Sequence, residues 1–295
     1  MVVALLCAMA LIGCGGDAPE PTTSAAPDAS EPTAAATPTV DAFDADRAWG
    51  LLEEQVAVGP RPAGSPQLKA LADKLKAKLP NGRFEPVEGG LQNIVGEIPG
   101  KGKAIVLAAH YDTKDLPDFV GANDGAGGTA AVVEIARTMA AMERPKDAPP
   151  IRFVLFDGEE ATDDSDFLGT GVRGAKAYAN KYADSTAKLV LLDFVADKDL
   201  AIPREQTSDE QMWADLRAAA ERVGAQSAFP DEEQGGVQDD HTPFVEKGIP
   251  AIDLIDFDFP CWHQTCDDIT AVSKASLDLS GETVLEYMLT LWRGD

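Results

Sequence analysis

Ile151-Arg152-Phe153-Val154-Leu155-Phe156 runs directly into Asp157-Gly158-Glu159-Glu160, an apolar segment handing over to an acidic turn. A short β-branched and aromatic run bounded by a glycine turn reads as a buried strand. The same transition recurs. Ala104 to Ala109 precedes His110-Tyr111-Asp112, Leu189 to Leu192 precedes Asp193, and Ala251 to Ile255 precedes Asp256 and Asp258, with a further run at Asn93-Ile94-Val95-Gly96. Between these runs, apolar residues recur at helical spacing over 127–142, 171–182, 210–223 and 275–292. Upstream, Leu51, Leu52 and Val56, then Leu68, Leu71, Leu75 and Leu79, give two amphipathic helices separated by the turn Gly59-Pro60-Arg61-Pro62. Strands alternating with helices predict an α/β fold, a single three-layer α/β/α domain around a mostly parallel sheet. Ligands of such folds lie beyond the carboxyl ends of the strands, where the acids and histidines fall here.

The 295-residue chain carries 25 basic and 50 acidic side chains, a net charge of −25. That balance excludes nucleic acid as a partner, because binding a polyanion needs a clustered cationic surface. With 44% hydrophobic residues the chain has enough apolar material for one large domain. Its only long apolar run, VVALLCAMALIG at residues 2–13, is too short for a membrane span and suits a signal peptide. Leu11-Ile12-Gly13-Cys14 resembles the bacterial lipobox, so residues 1–13 are expected to be a lipoprotein signal peptide and Cys14 to carry the lipid. Residues 15–42 hold no aromatic side chain and are rich in Ala, Pro and Thr, so 14–42 reads as a disordered tether and 43–295 as the folded domain. The expectation is an exported lipoprotein of the bacterial cell envelope, touching a membrane through its anchor only and monomeric. Cys261 and Cys266 remain in the folded part, where export permits a disulfide and spacing alone does not decide between it and two thiols.

Taken singly, an aspartate at a strand end is usually a helix cap or a turn former. Together, His110, Asp112, Asp124, Glu159, Glu160, Asp193, Asp240, His241 and His263 crowd one end of the sheet. Such crowding is unfavourable unless a cation neutralises it, and a donor set of His with Asp or Glu and no thiolate cluster points to zinc.

The ordered series His110-x-Asp112, Gly121-Ala122-Asn123-Asp124, Asp157-Gly158-Glu159-Glu160-Ala161, Leu191-Leu192-Asp193, Asp239-Asp240-His241-x-Pro243-Phe244 and Trp262-His263 resembles the zinc aminopeptidases of metallopeptidase family 28 and their relatives, the animal-type glutaminyl-peptide cyclotransferases. The resemblance spans roughly residues 47–292, includes Gly59-Pro60-Arg61, and implies the zinc-exopeptidase fold. It implies a zinc held by Asp124, Glu160 and His263. In the aminopeptidase pattern a second zinc shares Asp124 and uses His110 and Asp193. Glu159 is implied as the general acid/base, with Asp112 orienting its neighbours.

Two reactions on peptide or protein N-termini share this apparatus. Cyclisation of an N-terminal Gln to pyroglutamate, with loss of ammonia, is the favoured reading and calls for one zinc. It gives Asp193 and Asp240 the role of a proton-sharing catalytic pair and makes Trp262 a wall of the substrate pocket. Hydrolysis of the first peptide bond is the alternative and calls for two. A third reading, a non-catalytic zinc-bearing lipoprotein that binds peptides, leaves Glu159 without a purpose. One departure from the animal cyclases stands out: Thr162-Asp163-Asp164-Ser165 follows Ala161 where they carry a pocket tryptophan.

Overall fold

A computed structural model describes residues 38–294. The expected signal peptide, Cys14 and most of the expected tether lie outside the described residues. Two helices come first. α1 (Ala45–Val56) starts where the Asp44 side chain accepts the Arg47 amide, and α2 (Pro66–Lys78) starts with Ser65 as cap and Pro66 in the first turn. The chain continues through β1 (Arg83–Val87), β2 (Leu91–Ile98), β3 (Ala104–His110), α3 (Gly128–Ala141), β4 (Ile151–Phe156), the short α4 (Phe167–Thr170) and α5 (Arg173–Tyr182). It ends with β5 (Thr186–Leu192), the two-residue β6 (Arg204–Glu205), α6 (Glu210–Val223), β7 (Glu233–Gln234), α7 (Thr242–Val245), β8 (Ala251–Leu254) and α8 (Lys274–Arg293).

The main sheet has the order β1-β2-β4-β3-β5-β8. β4, β3, β5 and β8 are parallel, as the alternation with helices predicts, whereas β2 joins β4 antiparallel and β1 joins β2 antiparallel. The reversal has a simple cause. Only residues 99–103 separate β2 from β3, and a parallel crossover needs a dozen or more. β1 escapes sequence reading because Arg83, Glu85 and Pro86 break its apolar pattern, and a proline is tolerated there because the strand is an edge.

Period-two alternation splits the apolar runs between two cores. Ile105, Leu107 and Ala109 of β3 face the layer of α1, α2, α3, α6 and α8. Val106 and Ala108 face the opposite layer, with Ala175, Tyr178 and Ala179 of α5 and Phe244 of α7. Three layers result. At the head of α3, a Cβ on Gly128 would stand 2.3 Å from the Leu192 carbonyl oxygen, so glycine there lets the helix press onto the strand ends beside the polar cluster.

Residues just before α1 are pinned to α8 and to the end of α6. The buried Glu282 carboxylate accepts the Ala42 and Phe43 amides, at 2.5 and 2.7 Å, and the Thr39 amide donates to the Val223 carbonyl at 2.7 Å. Burial pushes the Glu282 carboxyl up from 4.5 to about 6, with the two amides opposing it in part. The folded state therefore holds the proton more tightly, and this contribution to stability is full below 4.5 and lost as pH rises through about 6. Glu282→Gln keeps an acceptor without the titration. Its melting temperature should gain on that of the native protein as pH rises from 4.5 to about 6, and a constant difference across this window would contradict the assignment.

Candidate metal centre

β3 ends in His110, β4 opens into Glu159 and Glu160, and β5 delivers Asp193, so three adjacent parallel strands carry their polar residues to one edge. Asp124 arrives from the loop before α3 and His263 from the loop after β8. The Asp124 carboxylate sits between two imidazoles. Its Oδ1 is 3.2 Å from His110 Nε2 and its Oδ2 is 3.7 Å from His263 Nε2. His110 Nε2 also lies 3.4 Å from Asp193 Oδ1, and His263 Nε2 lies 3.4 Å from Glu160 Oε2.

Two sets of three donors thus share Asp124: Asp124, Glu160 and His263, and His110, Asp124 and Asp193. Donors of a tetrahedral zinc at about 2.0–2.2 Å stand roughly 3.3–3.6 Å apart, and the imidazole-to-carboxylate distances, 3.2 and 3.4 Å in one set and 3.4 and 3.7 Å in the other, are close to this. Both ring nitrogens of His110 and Oε1 of Glu160 are buried without a hydrogen-bond partner among the described residues. Buried polar atoms of this kind are normally satisfied, so the residues present fit a bound cation.

Titration follows from the same crowding. Burial and then Glu160 push the Glu159 carboxyl well above the ordinary range, with His110 opposing. Glu160 is also raised, by burial and Asp124, with His263 working against the rise. Burial lifts Asp193 to about 7 although the nearby His110 pulls it down. Burial alone would depress His110, but Asp112, Asp124 and Asp193 outweigh it and hold the imidazole well above its ordinary value.

The surrounding backbone is tied down by groups chosen for it. Asp112 accepts the Glu159 and Glu160 amides at 3.2 and 3.4 Å and stands 3.7 Å from His110 Nδ1, so it orients the acidic pair and the imidazole together. Asp267 accepts the Asn123 and Asp124 amides at 2.8 and 3.1 Å. The buried Arg61 guanidinium donates to the carbonyls of Tyr111, Val120 and Gly121. Gly125, at φ +92°, is required: a Cβ there would stand 2.8 Å from the Asp112 carbonyl oxygen and 3.0 Å from the His110 ring. A Cys261–Cys266 disulfide closes the loop holding His263, whose φ of +51° is a conformation that side-chain-bearing residues seldom adopt.

Most of the sequence-derived site residues come together around one cavity of about 330 Å³, lined by Asp124, Glu159, Glu160, Asp193, Trp262 and His263 among others. Trp262 is 46% exposed and stacks on His263 with ring centroids 4.6 Å apart. Asp240 is fully buried and does not line the cavity, whereas its neighbour Asp239 does. The two stand in a tight turn without strand alternation, so the sequence does not tell which one faces inward. His241 also stands apart, with Nε2 2.9 Å from Thr207 Oγ1 and Nδ1 3.3 Å from Asp253 Oδ2, and belongs to a separate buried group. Asp239 and Lys114 stood in the sequence motifs without a role of their own, and Asp267 was not singled out although an acid closely following His263 was its signal.

The model of peptidase family M28 matches residues 93–288. A glutaminyl-peptide cyclotransferase of Drosophila melanogaster is 26% identical over 240 residues, covering 69% of this chain and 68% of that protein. Aminopeptidase YwaD of Bacillus subtilis is 29% identical over 212 residues, covering 65% of this chain and 43% of that longer protein. Among solved structures, a glutaminyl cyclase of Porphyromonas gingivalis superposes with a TM-score of 0.75 at 27% identity, over 84% of this chain and 99% of that one.

Proposed function

From the premise that the chain belongs to peptidase family M28 and is an enzyme acting on peptides, we propose that it is a glutaminyl-peptide cyclotransferase converting N-terminal Gln to pyroglutamate. The observation that carries this reading is a wall of three protonatable acids, Glu159, Asp193 and Asp239, in one small cavity. Burial pushes all three carboxyls upward. Either reaction moves a proton from its nucleophile to the departing nitrogen. In cyclisation the nucleophile is the substrate's own amine and ammonia departs, and carboxyls raised by burial suit that transfer.

Asp124, Glu160 and His263 would hold the zinc. Once bound there, it supplies Lewis acidity toward a carbonyl oxygen. Glu159, outside both donor sets, accepts a proton from the α-amine of the substrate. The amine nitrogen forms its bond to the side-chain amide carbon, and Glu159 returns the proton to the amide nitrogen as its bond to that carbon breaks. Asp193 and Asp239 hold neighbouring protons during the transfer, while Trp262 over His263 walls the pocket and excludes water.

Aminopeptidase activity is the second reading, favoured by Asp124, whose two oxygens address His110 and His263 separately. A zinc in each donor set would then serve hydrolysis. Two peptides separate the readings when incubated with the zinc-loaded protein and followed by mass spectrometry. Ammonia loss from a Gln peptide, with a Leu peptide intact, is the expected result. Shortening of the Leu peptide by one residue would replace the cyclase with the aminopeptidase. The proposal extends to location: the lipobox-like Leu11-Ile12-Gly13-Cys14 supports a lipoprotein of the cell envelope, and no described helix is long and apolar enough to cross a membrane.

A further inference from the structure

Asp163, Asp164 and Asp166 stand together at the turn after the Glu159-Glu160 pair, and two of them bond the local backbone. Asp163 accepts the Ser165 amide and hydroxyl. Asp166 accepts the Gly169 amide at 3.1 Å. Asp164 alone lines the cavity. Its Oδ1 is held by the Lys114 ammonium, while its side chain stays 72% exposed.

Lys114 is nearly buried, its side chain 9% exposed, and its amine bonds the Ala161 carbonyl at 3.1 Å and Asp164 and stands 3.6 Å from Glu160 Oε2. It fixes Asp164 in place and lines an adjoining cavity, not the one that holds Glu159 and Asp193. Among the described residues no lysine or arginine lines the latter cavity, whereas six carboxylates do. The deep ones are committed to the chemistry: Asp124, Glu160 and Asp193 have side chains only 3%, 5% and 9% exposed. Asp164 is therefore the acid at the mouth, where the chain beyond the N-terminal residue must leave. Phe257 and Trp262, 40% and 46% exposed with centroids 5.2 Å apart, line the same cavity and offer apolar surface for a long aliphatic stem or a guanidinium face.

We infer that Asp164 is a specificity residue that selects peptides whose second residue is lysine or arginine and disfavours those with an acid there. The inference rests on the reading of the enzyme as one acting on peptide N-termini, and it holds for either reaction. Carboxylates in a partly closed cleft focus their field, so a basic side chain is drawn in and an acidic one repelled.

The test is kcat/KM for the zinc-loaded protein on Gln-Lys-Ala-Ala, Gln-Ala-Ala-Ala and Gln-Glu-Ala-Ala amides, counting released ammonia or released glutamine as turnover. The order Lys, Ala, Glu is expected, with about a tenfold spread at low salt that narrows as salt is raised. Asp164→Asn should shrink the Lys-to-Glu ratio to about threefold or less, because it also exposes the charge of Lys114, and Asp164→Glu should restore it. Equal kcat/KM for the three peptides, or an unchanged ratio in Asp164→Asn, overturns the inference and leaves the reading of the enzyme intact. Absence of turnover with all three overturns both.

Discussion

Glu159→Gln is expected to lower kcat by about a thousandfold while leaving zinc binding in place, since a positioned general base contributes roughly 10²–10⁴ in rate. The geometry separates the two readouts. Glu159 belongs to neither donor set, and the backbone amides that Asp112 accepts are unaffected by a change of side chain. Glutamine has nearly the same shape but cannot take a proton from the attacking amine. Stability moves in the opposite direction to activity. Burial and Glu160 raise the Glu159 carboxyl, so in the metal-free protein its contribution to stability is present below its ordinary value of 4.5 and lost as pH rises through the higher folded value. The variant should therefore melt no lower than the native protein at neutral pH. Equilibrium dialysis against zinc and single-turnover kinetics check both claims. Undiminished turnover would remove Glu159 from the mechanism, and loss of zinc with turnover would make it a ligand.

What the sequence revealed of this site, and what it concealed, follows from how each residue is placed. Strand-end residues were legible because a parallel strand has a direction: an apolar run ending in His110, Asp157 or Asp193 puts those side chains at one edge wherever the strand sits in the sheet. Helix bounds came close for the same kind of reason, since Asp209 before α6 and Gly224 after it mark the ends by their chemistry. Loop residues were less legible. Asp239 and Asp240 are adjacent acids in a turn, and only the three-dimensional path shows that the first lines the cavity. β1 was hidden because an edge strand need not be apolar, and the antiparallel half of the sheet was hidden with it. The grouping of three histidines also dissolved in part: His241 follows the same turn but packs against Asp253 and Glu205, which arrive from β8 and β6.

Arg61 shows how a residue without chemistry of its own can govern the site, and Arg61→Met is the second substitution with a large expected effect. Its guanidinium is fully buried, and its bonds to Tyr111, Val120 and Gly121 tie the end of β3, carrying His110 and Asp112, to the loop carrying Asp124. Burial lowers its pKa to about 10 against the pull of Asp124, Asp267 and Asp112, so it remains a cation at neutral pH. It is a built-in counter-charge for acids that crowd the site with or without a metal. Methionine fills similar space but takes the donor from the Tyr111 and Val120 carbonyls, leaves the Gly121 carbonyl with the Ala126 amide alone, and leaves those acids without that charge. Breaking such a buried arrangement costs about 3–5 kcal/mol, which for a domain of this size lowers the melting temperature by roughly 10 °C. Zinc affinity should fall by about 10- to 100-fold, the usual effect of losing the groups that orient metal ligands. Asp267→Asn added to Arg61→Met should recover part of the stability, because burial and Asp124 already raise the Asp267 carboxyl to about 7 and the amide removes that charge. Calorimetry and zinc competition with a chelator read the two effects separately. A loss of stability with unchanged zinc affinity would reduce Arg61 to a support of the fold, and unchanged values of both would show that the loop holds Asp124 without it.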